Sequence, residues 1–308
     1  MSGSPASKTT TSDTLPREVG LPVTVGLDGD GNGWAALDWA LSEAVATRVA
    51  TDVIHVHHVE PAWRGSAALG VVPAATEDPV LVEAASRAAG QRRGPEPSLH
   101  SLIGSPAQHL VRASRSSSVL VVGAPRHGAL GRVLMGSTAV EVAARAHCPV
   151  VIVRDGLPPA DERRGVVVGA DGSAGSRAAI TTAFRRAARL HQPVTVVHAW
   201  HVEWDSAALP SDAPGAEIER LSSRAEQATA EVVASCAADF PDVVAHCHTV
   251  MADPLQALVE ASHGAELVVV GTHGRGELAG LVFGSVSQGL LRRAHAPVMV
   301  VRSAEHAA

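Results

Sequence analysis

Short apolar runs alternate along the chain with longer stretches whose apolar positions return every three or four residues. Val23–Leu27 is the first run, and its length and flanks are those of a fully buried parallel strand. Trp34, Leu37, Leu41 and Ala44 then fall on one face of a helix. The pattern predicts a second strand over Val53–Val59, a third near Leu99–Ile103, a fourth ending at Gly123 and a fifth after Pro149. Ser105-Pro106 starts a helix, with a capping side chain followed by proline at the first helical position. A glycine-rich loop after Gly123 leads into another helix at Ser137. Strands alternating with helices imply a parallel sheet with right-handed crossovers, covered on both faces. Ligands in such sheets bind beyond the carboxyl ends of the strands, where the strand order reverses.

The whole order occurs twice. Val23-Thr-Val-Gly-Leu-Asp28-Gly29 returns as Val166-Val-Val-Gly-Ala-Asp171-Gly172, and Val119-Leu-Val-Val-Gly123 as Leu267-Val-Val-Val-Gly271. Cys148-Pro-Val-Val-Ile-Val-Arg154 returns as Ala296-Pro-Val-Met-Val-Val-Arg302. The second half repeats the strands at Val194–Trp200 and Val243–Val250, and the helix starts at Asp253-Pro254 and Ser285. Gly123 and Gly136 recur 148 positions later, but Asp28 recurs 143 later, so the variable segment between them is about five residues longer in the second copy. The variable stretches, 60–98 and 201–242, each hold an Ala-rich helical piece. This organisation predicts a disordered tail over 1–20, a first domain over 21–155, a charged, proline-bearing linker over 156–164 and a second domain over 165–303.

Composition narrows the chemistry. Aromatics are 3% of the 308 residues and tyrosine is absent, so the core must be built from Ala, Val and Leu. A net charge of -6 argues against a nucleic-acid footprint. Lys8 is the only lysine, which removes P-loop and Schiff-base lysine chemistry from the folded region. Three cysteines make no disulfide framework, and neither a signal peptide nor a membrane-length apolar run stands out, so a cytoplasmic protein is expected.

The second glycine loop reads Gly271-Thr-His273-Gly274-Arg-Gly276-Glu-Leu-Ala-Gly280-Leu-Val-Phe-Gly284-Ser285-Val286-Ser287. Glycines admit positive φ and close approach of backbone N–H groups to an anion. A helix opening at Ser285 adds unpaired amides and a favourable dipole, and Ser285 and Ser287 add hydroxyl donors. Arg292, Arg293 and His295 fall near that helix's end, where cations suit the dipole. G-K-[ST] is absent, so this is not a Walker loop.

Gly271, two residues, Gly274, nine residues and Gly284-Ser285 resemble the G-x2-G-x9-G-S nucleotide motif of ATP-binding universal stress proteins. The resemblance spans Val23 to Arg154 and Val166 to Arg302. It implies an α/β fold of two tandem Rossmann-like (adenine nucleotide alpha hydrolase-like) domains, each a five-stranded parallel sheet flanked by helices. It also implies ATP as the ligand, with Mg2+ as an optional companion. Asp171 would contact the nucleoside with Gly169 beside it, and the backbone of Ala199, after His198, would lie against adenine. Val270, Gly271, His273 and Gly274 would line ribose and phosphates, and Gly284, Ser285 and Val286 would hold the phosphate tail. The matching first-copy positions are Gly26, Asp28, Val56, Val122, Gly123, Gly136, Ser137 and Thr138. The family further implies a stress-response or signalling regulator, with at most slow ATP hydrolysis. It implies fifth strands Val150–Val153 and Val298–Val301 pairing as an intrachain pseudo-dimer, and a whole-chain homodimer by analogy. A scaffold of the same fold that binds no nucleotide is the alternative.

The first copy departs from the motif. Arg126 takes the second motif glycine, Pro125 restricts Ala124, and Asp30 replaces the serine after the Asp-Gly pair. An arginine there would instead pair with phosphate. The second copy is therefore expected to be the tighter site.

The sixteen histidines invite a metal reading. His55 and His57 share one face of their strand, with His58 beside them, while Cys236, His246, Cys247 and His248 fit no zinc spacing. Surface or core-satisfied histidines, and no metal, are the expectation. No G-x-S-x-G elbow is present. Glu203, Asp205, Asp212, Glu217 and Glu219 read as a solvated loop. No protein partner is named by any motif.

Overall fold

A computed structural model describes residues 20–29, 33–57, 73–91, 94–124, 136–158, 162–200, 214–272 and 284–302. The first half holds strands β1 (Val23–Leu27), β2 (Thr51–His57), β3 (Ser98–Ile103), β4 (Val119–Ala124) and β5 (Val150–Arg154). The second holds β6 (Val166–Gly169), β7 (Val194–Trp200), β8 (Ala245–Met251), β9 (Leu267–Gly271) and β10 (Val298–Val301). The helices are α1 (Trp34–Thr47), α2 (Pro79–Gln91), α3 (Pro106–Ala113), α4 (Ser137–Arg145), α5 (Ala174–Leu190), α6 (Pro214–Asp239), α7 (Pro254–Ala261) and α8 (Ser285–Arg293). One ten-stranded sheet runs in the order β3-β2-β1-β4-β5-β10-β9-β6-β7-β8.

Both faces of the sheet are apolar, as the unbroken strand runs require. Val119 and Val121 point into a core shared with Leu37 and Leu41 of α1, Leu81 of α2 and Phe184 of α5. Leu120 and Val122, one residue out of phase, join Leu110 of α3, Val142 of α4, Leu258 of α7 and Leu290 of α8. Ser105 and Asp253 cap α3 and α7 by accepting from the Gln108 and Gln256 amides, with proline next in line. β2 begins earlier than its apolar run suggests, because Thr51 is buried against β1. In the acidic stretch, Glu217 and Glu219 belong to α6 rather than to a loop; 201–213 lies outside the described residues, as does most of the tail.

The halves join along β5 and β10, which pair antiparallel with Val151 opposite Met299. The pairing anticipated between the fifth strands thus closes both apolar edges. Two arginines lock it reciprocally. Arg154 at the end of β5 donates to the Ala294 carbonyl at the C-cap of α8 (3.0 Å), and Arg302 after β10 donates to Ala146 at the C-cap of α4 (3.3 Å). Each half thereby satisfies the other's helix terminus.

Beside the seam, Arg186 of α5 donates to Glu43 of α1 and to Glu266 (3.3 Å), and its guanidinium lies 4.8 Å from the Trp39 ring centroid. Glu43 and Arg186 are each 8% exposed. Arg163, from the linker, is also buried and donates to the Glu266 carbonyl (3.4 Å). Among the described residues no helix is long and apolar enough to cross a membrane. Removing the cation alone should strand Glu43 in the interior. Arg186→Ala is expected to lose about 3–5 kcal/mol in urea unfolding, whereas the paired change Arg186→Met with Glu43→Gln should lose clearly less.

Candidate functional site

β6 is flanked by β7 on one side and β9 on the other, so the second half's strand order reverses beside it. A cleft of roughly 450 Å³ opens there, at the strands' carboxyl ends. That volume suits a small organic ligand. Gly169, Asp171, Ala199, Val270, Gly271, Gly284, Ser285 and Val286, marked out by the sequence, all line it. His273 and Gly274 lie outside the described residues.

Local chemistry shapes each wall. Gly172 takes φ 81°, turning the chain so that the Asp171 carboxylate accepts from the Ser173 amide (2.9 Å). Ser173 in turn caps α5 by accepting from Ser176 N–H (3.1 Å). Gly271 is required by packing: a Cβ there would sit 2.8 Å from the Gly175 carbonyl carbon. Gly169 likewise leaves room for Leu258.

The loop's two ends are stapled together. Gly284 N–H donates to the Thr272 carbonyl (2.9 Å), Thr272 N–H to Val301 (3.0 Å), and the Ser287 hydroxyl to the Gly271 carbonyl (2.7 Å). Ser287 was expected to donate to a ligand. Its proton is instead committed to the strand end, and the side chain is buried. No side chain caps α8, whose N-cap is Gly284. The helix therefore meets the cleft with first-turn amides that no cap side chain occupies.

His198 is expected as a strand end, with the backbone of Ala199 after it as the ligand contact. The structure makes the imidazole itself a wall of the cleft. Thr229 Oγ1 donates to the Ala225 carbonyl (2.8 Å), so it must accept from His198 Nδ1 (2.6 Å). That makes Nδ1 a proton donor. The repeat carried this signal, since His55 is its counterpart. Trp200, Pro254 and Leu258 also line the cleft. They follow no motif spacing and could be found only through the fold.

In the first half, Gly26 and Val56 lie in β1 and β2, Asp28 follows β1, and Val122 and Gly123 lie in β4. Gly136 is the N-cap of α4, again with no side-chain cap, and Ser137 and Thr138 open that helix. The order of elements matches, but the charge does not. Asp155, at the end of β5, has its carboxyl pushed up first by burial and then by the Asp28 carboxylate nearby. Two acids thus share this edge, an unfavourable setting for another anion. Asp30, Pro125 and Arg126 lie outside the described residues.

Elsewhere, burial pushes the Cys148 thiol up to about 12, and burial also raises Cys236 and Cys247. Burial of this kind disfavours the thiolate, most strongly at Cys148. Cys236 lies on α6 with its sulfur 4.0 Å from the Thr181 hydroxyl, whereas Cys247 is exposed on β8.

The Universal stress protein family profile matches residues 21–154 and again 162–302. A universal stress protein of Mycobacterium tuberculosis is 32% identical over 91% of this chain and 96% of its own length. One from Mycolicibacterium smegmatis is 34% identical with the same coverage. Among solved structures, a universal stress protein from Archaeoglobus fulgidus superposes with a TM-score of 0.64 at 18% identity, covering 91% of this chain and 98% of that one. The fold is shared well beyond sequence likeness.

Gly271→Ala should drive a methyl group into the α5 backbone and cost about 1–3 kcal/mol in urea unfolding. Gly136→Ala, with φ -56° and nothing among the described residues within 4 Å of the added carbon, should meet no clash and cost no more than about 1 kcal/mol, the N-cap preference for glycine over alanine.

Proposed function

This chain belongs to the universal stress protein family, and on that premise we propose that it binds an adenine nucleotide, ATP, in the cleft of its second half and acts as a stress or signalling regulator. The observation that carries the reading is the junction of the Asp171 turn, the glycine strand end and the uncapped N-terminus of α8 around one cleft. Backbone amides at a helix start suit phosphate, and the apolar walls formed by Val270, Leu258 and Trp200 suit the faces of a nucleobase. Asp171, half-exposed beside them, is placed to meet a ribose hydroxyl or a Mg2+ held by the phosphates. The described groups at the phosphate end are amides and hydroxyls, which bind charge without transferring protons at neutral pH. Binding, rather than rapid turnover, is therefore the proposed role.

The test is calorimetric titration of ATP into nucleotide-free full-length protein. Ser285 is exposed at the first position of α8. Ser285→Glu should strengthen the helix by about 0.3–1 kcal/mol through its dipole, while placing a carboxylate where the phosphates would sit. It is expected to weaken ATP binding at least about tenfold, or 1.4 kcal/mol, without loss of stability. Ser137→Glu, at the equivalent first-half position, should change little. Equal loss in both variants would overturn the ranking of the halves. Absence of binding to the nucleotide-free wild type would replace a nucleotide sensor with an interaction scaffold.

A further inference from the structure

On the α2 side of the first half, four ligand-type atoms converge at the ends of β2 and β3. His55 Nδ1 lies 2.7 Å from Asp78 Oδ2, and His57 Nε2 lies 3.0 Å from the same oxygen. Ser101 Oγ is 3.1 Å from both His57 Nε2 and Asp78 Oδ2. The two imidazoles share a face because they are two residues apart on a strand, and Ser101 is the β3 residue in register with His55. Asp78 precedes Pro79 at the start of α2 and is completely buried. Its other oxygen, Oδ1, accepts from the Val80 and Leu81 amides (3.0 and 3.5 Å), which fixes the carboxylate plane and leaves Oδ2 for the cluster.

His55, His57 and Ser101 all reach the same oxygen, and Ser101 donates to it. A cation at the centre would let neutral imidazoles present lone pairs there and would give the buried carboxylate a counter-charge. The spacing admits one ion. Ligand atoms about 2.0–2.1 Å from a tetrahedral metal lie about 3.3 Å from one another, and those of His55, His57 and Asp78 all lie within 4.8 Å of one another, with 2.7–3.1 Å contacts to Asp78 Oδ2.

We propose that His55, His57 and Asp78, with Ser101 or a water in the fourth position, bind a divalent transition cation of the zinc class. Two imidazoles and one carboxylate are a borderline donor set suited to Zn2+ and its analogue Co2+, and poorly suited to Mg2+ or Ca2+. The His57 side chain is 30% exposed and gives the ion a way in. Among the described residues the cluster occurs in the first half alone. In the second, Trp200 stands at the His57 position and His198 donates to Thr229. It is also separate from the cleft of the second half, so it stands whether or not that cleft takes ATP. Gly29 adjoins the cluster, since a Cβ there would lie 3.9 Å from His55 Nε2. The ion would therefore brace the turn that carries Asp28.

The full-length protein, stripped with a chelator and exchanged into clean buffer, is titrated with Co2+. The expected result is one tight equivalent per chain with the intense visible bands of four-coordinate cobalt. His57→Gln and Asp78→Asn should each lose that signal and weaken uptake at least about tenfold. Asparagine keeps an oxygen for the α2 amides, and a wild-type urea midpoint in either variant shows that the fold is intact. His246→Gln, on the exposed face of β8, should bind as wild type does. No four-coordinate signal in the wild type, or an undiminished signal in His57→Gln, overturns the proposal.

Discussion

The antiparallel contact of β5 with β10 is the constraint on which the rest of the architecture depends. Each strand is apolar along nearly its whole length and buried on both faces, so neither could end a sheet without exposing an adhesive edge. Joining them converts two five-stranded sheets into one. It also makes the strands of one half run opposite to those of the other, because every other pairing is parallel. The two carboxyl edges consequently face opposite ends of the molecule. α1 and α5 are brought side by side, and the pairing of Glu43 with Arg186 follows from that.

Much of this was legible in the chain. Apolar runs marked the strands, the repeat fixed their equivalence, and Ser105-Pro106 and Asp253-Pro254 announced two helix starts that the structure reproduces as side-chain caps. Asp78-Pro79 carries the same start signal. Pro214 opens α6 at the corresponding place in the second half, but the unequal lengths of the two variable stretches break the register that made the other equivalences plain. Arg186, Glu43 and Arg163 were illegible for another reason. Their burial arises only when two halves meet, and nothing in a local pattern separates such a charge from one on a solvated face.

The glycines teach a related lesson. Read as a phosphate-binding pattern, Gly271 and Gly284 belong to one motif, but their physical reasons differ. Gly271 is small because the first turn of α5 passes against it, whereas Gly284 donates its amide to Thr272 and begins α8 with no capping side chain. Ser287, a ligand donor by its position in the motif, spends its proton holding the loop base closed. Spacing recorded where these residues meet but not which of them is committed to the protein itself.

The same reciprocity that lets Arg154 and Arg302 each serve the opposite half has a consequence for how such a molecule changes over generations. In a symmetric pair of identical chains, any substitution appears on both sides of the axis at once, so a favourable change at one site is inseparable from its copy at the other. Two halves on one chain inherit separately. The seam residues need to stay complementary, while everything distal to them is released from duplication. The acids at one strand edge, the histidine–aspartate cluster beside it and the open glycine cleft on the far side are the divergence that such freedom permits.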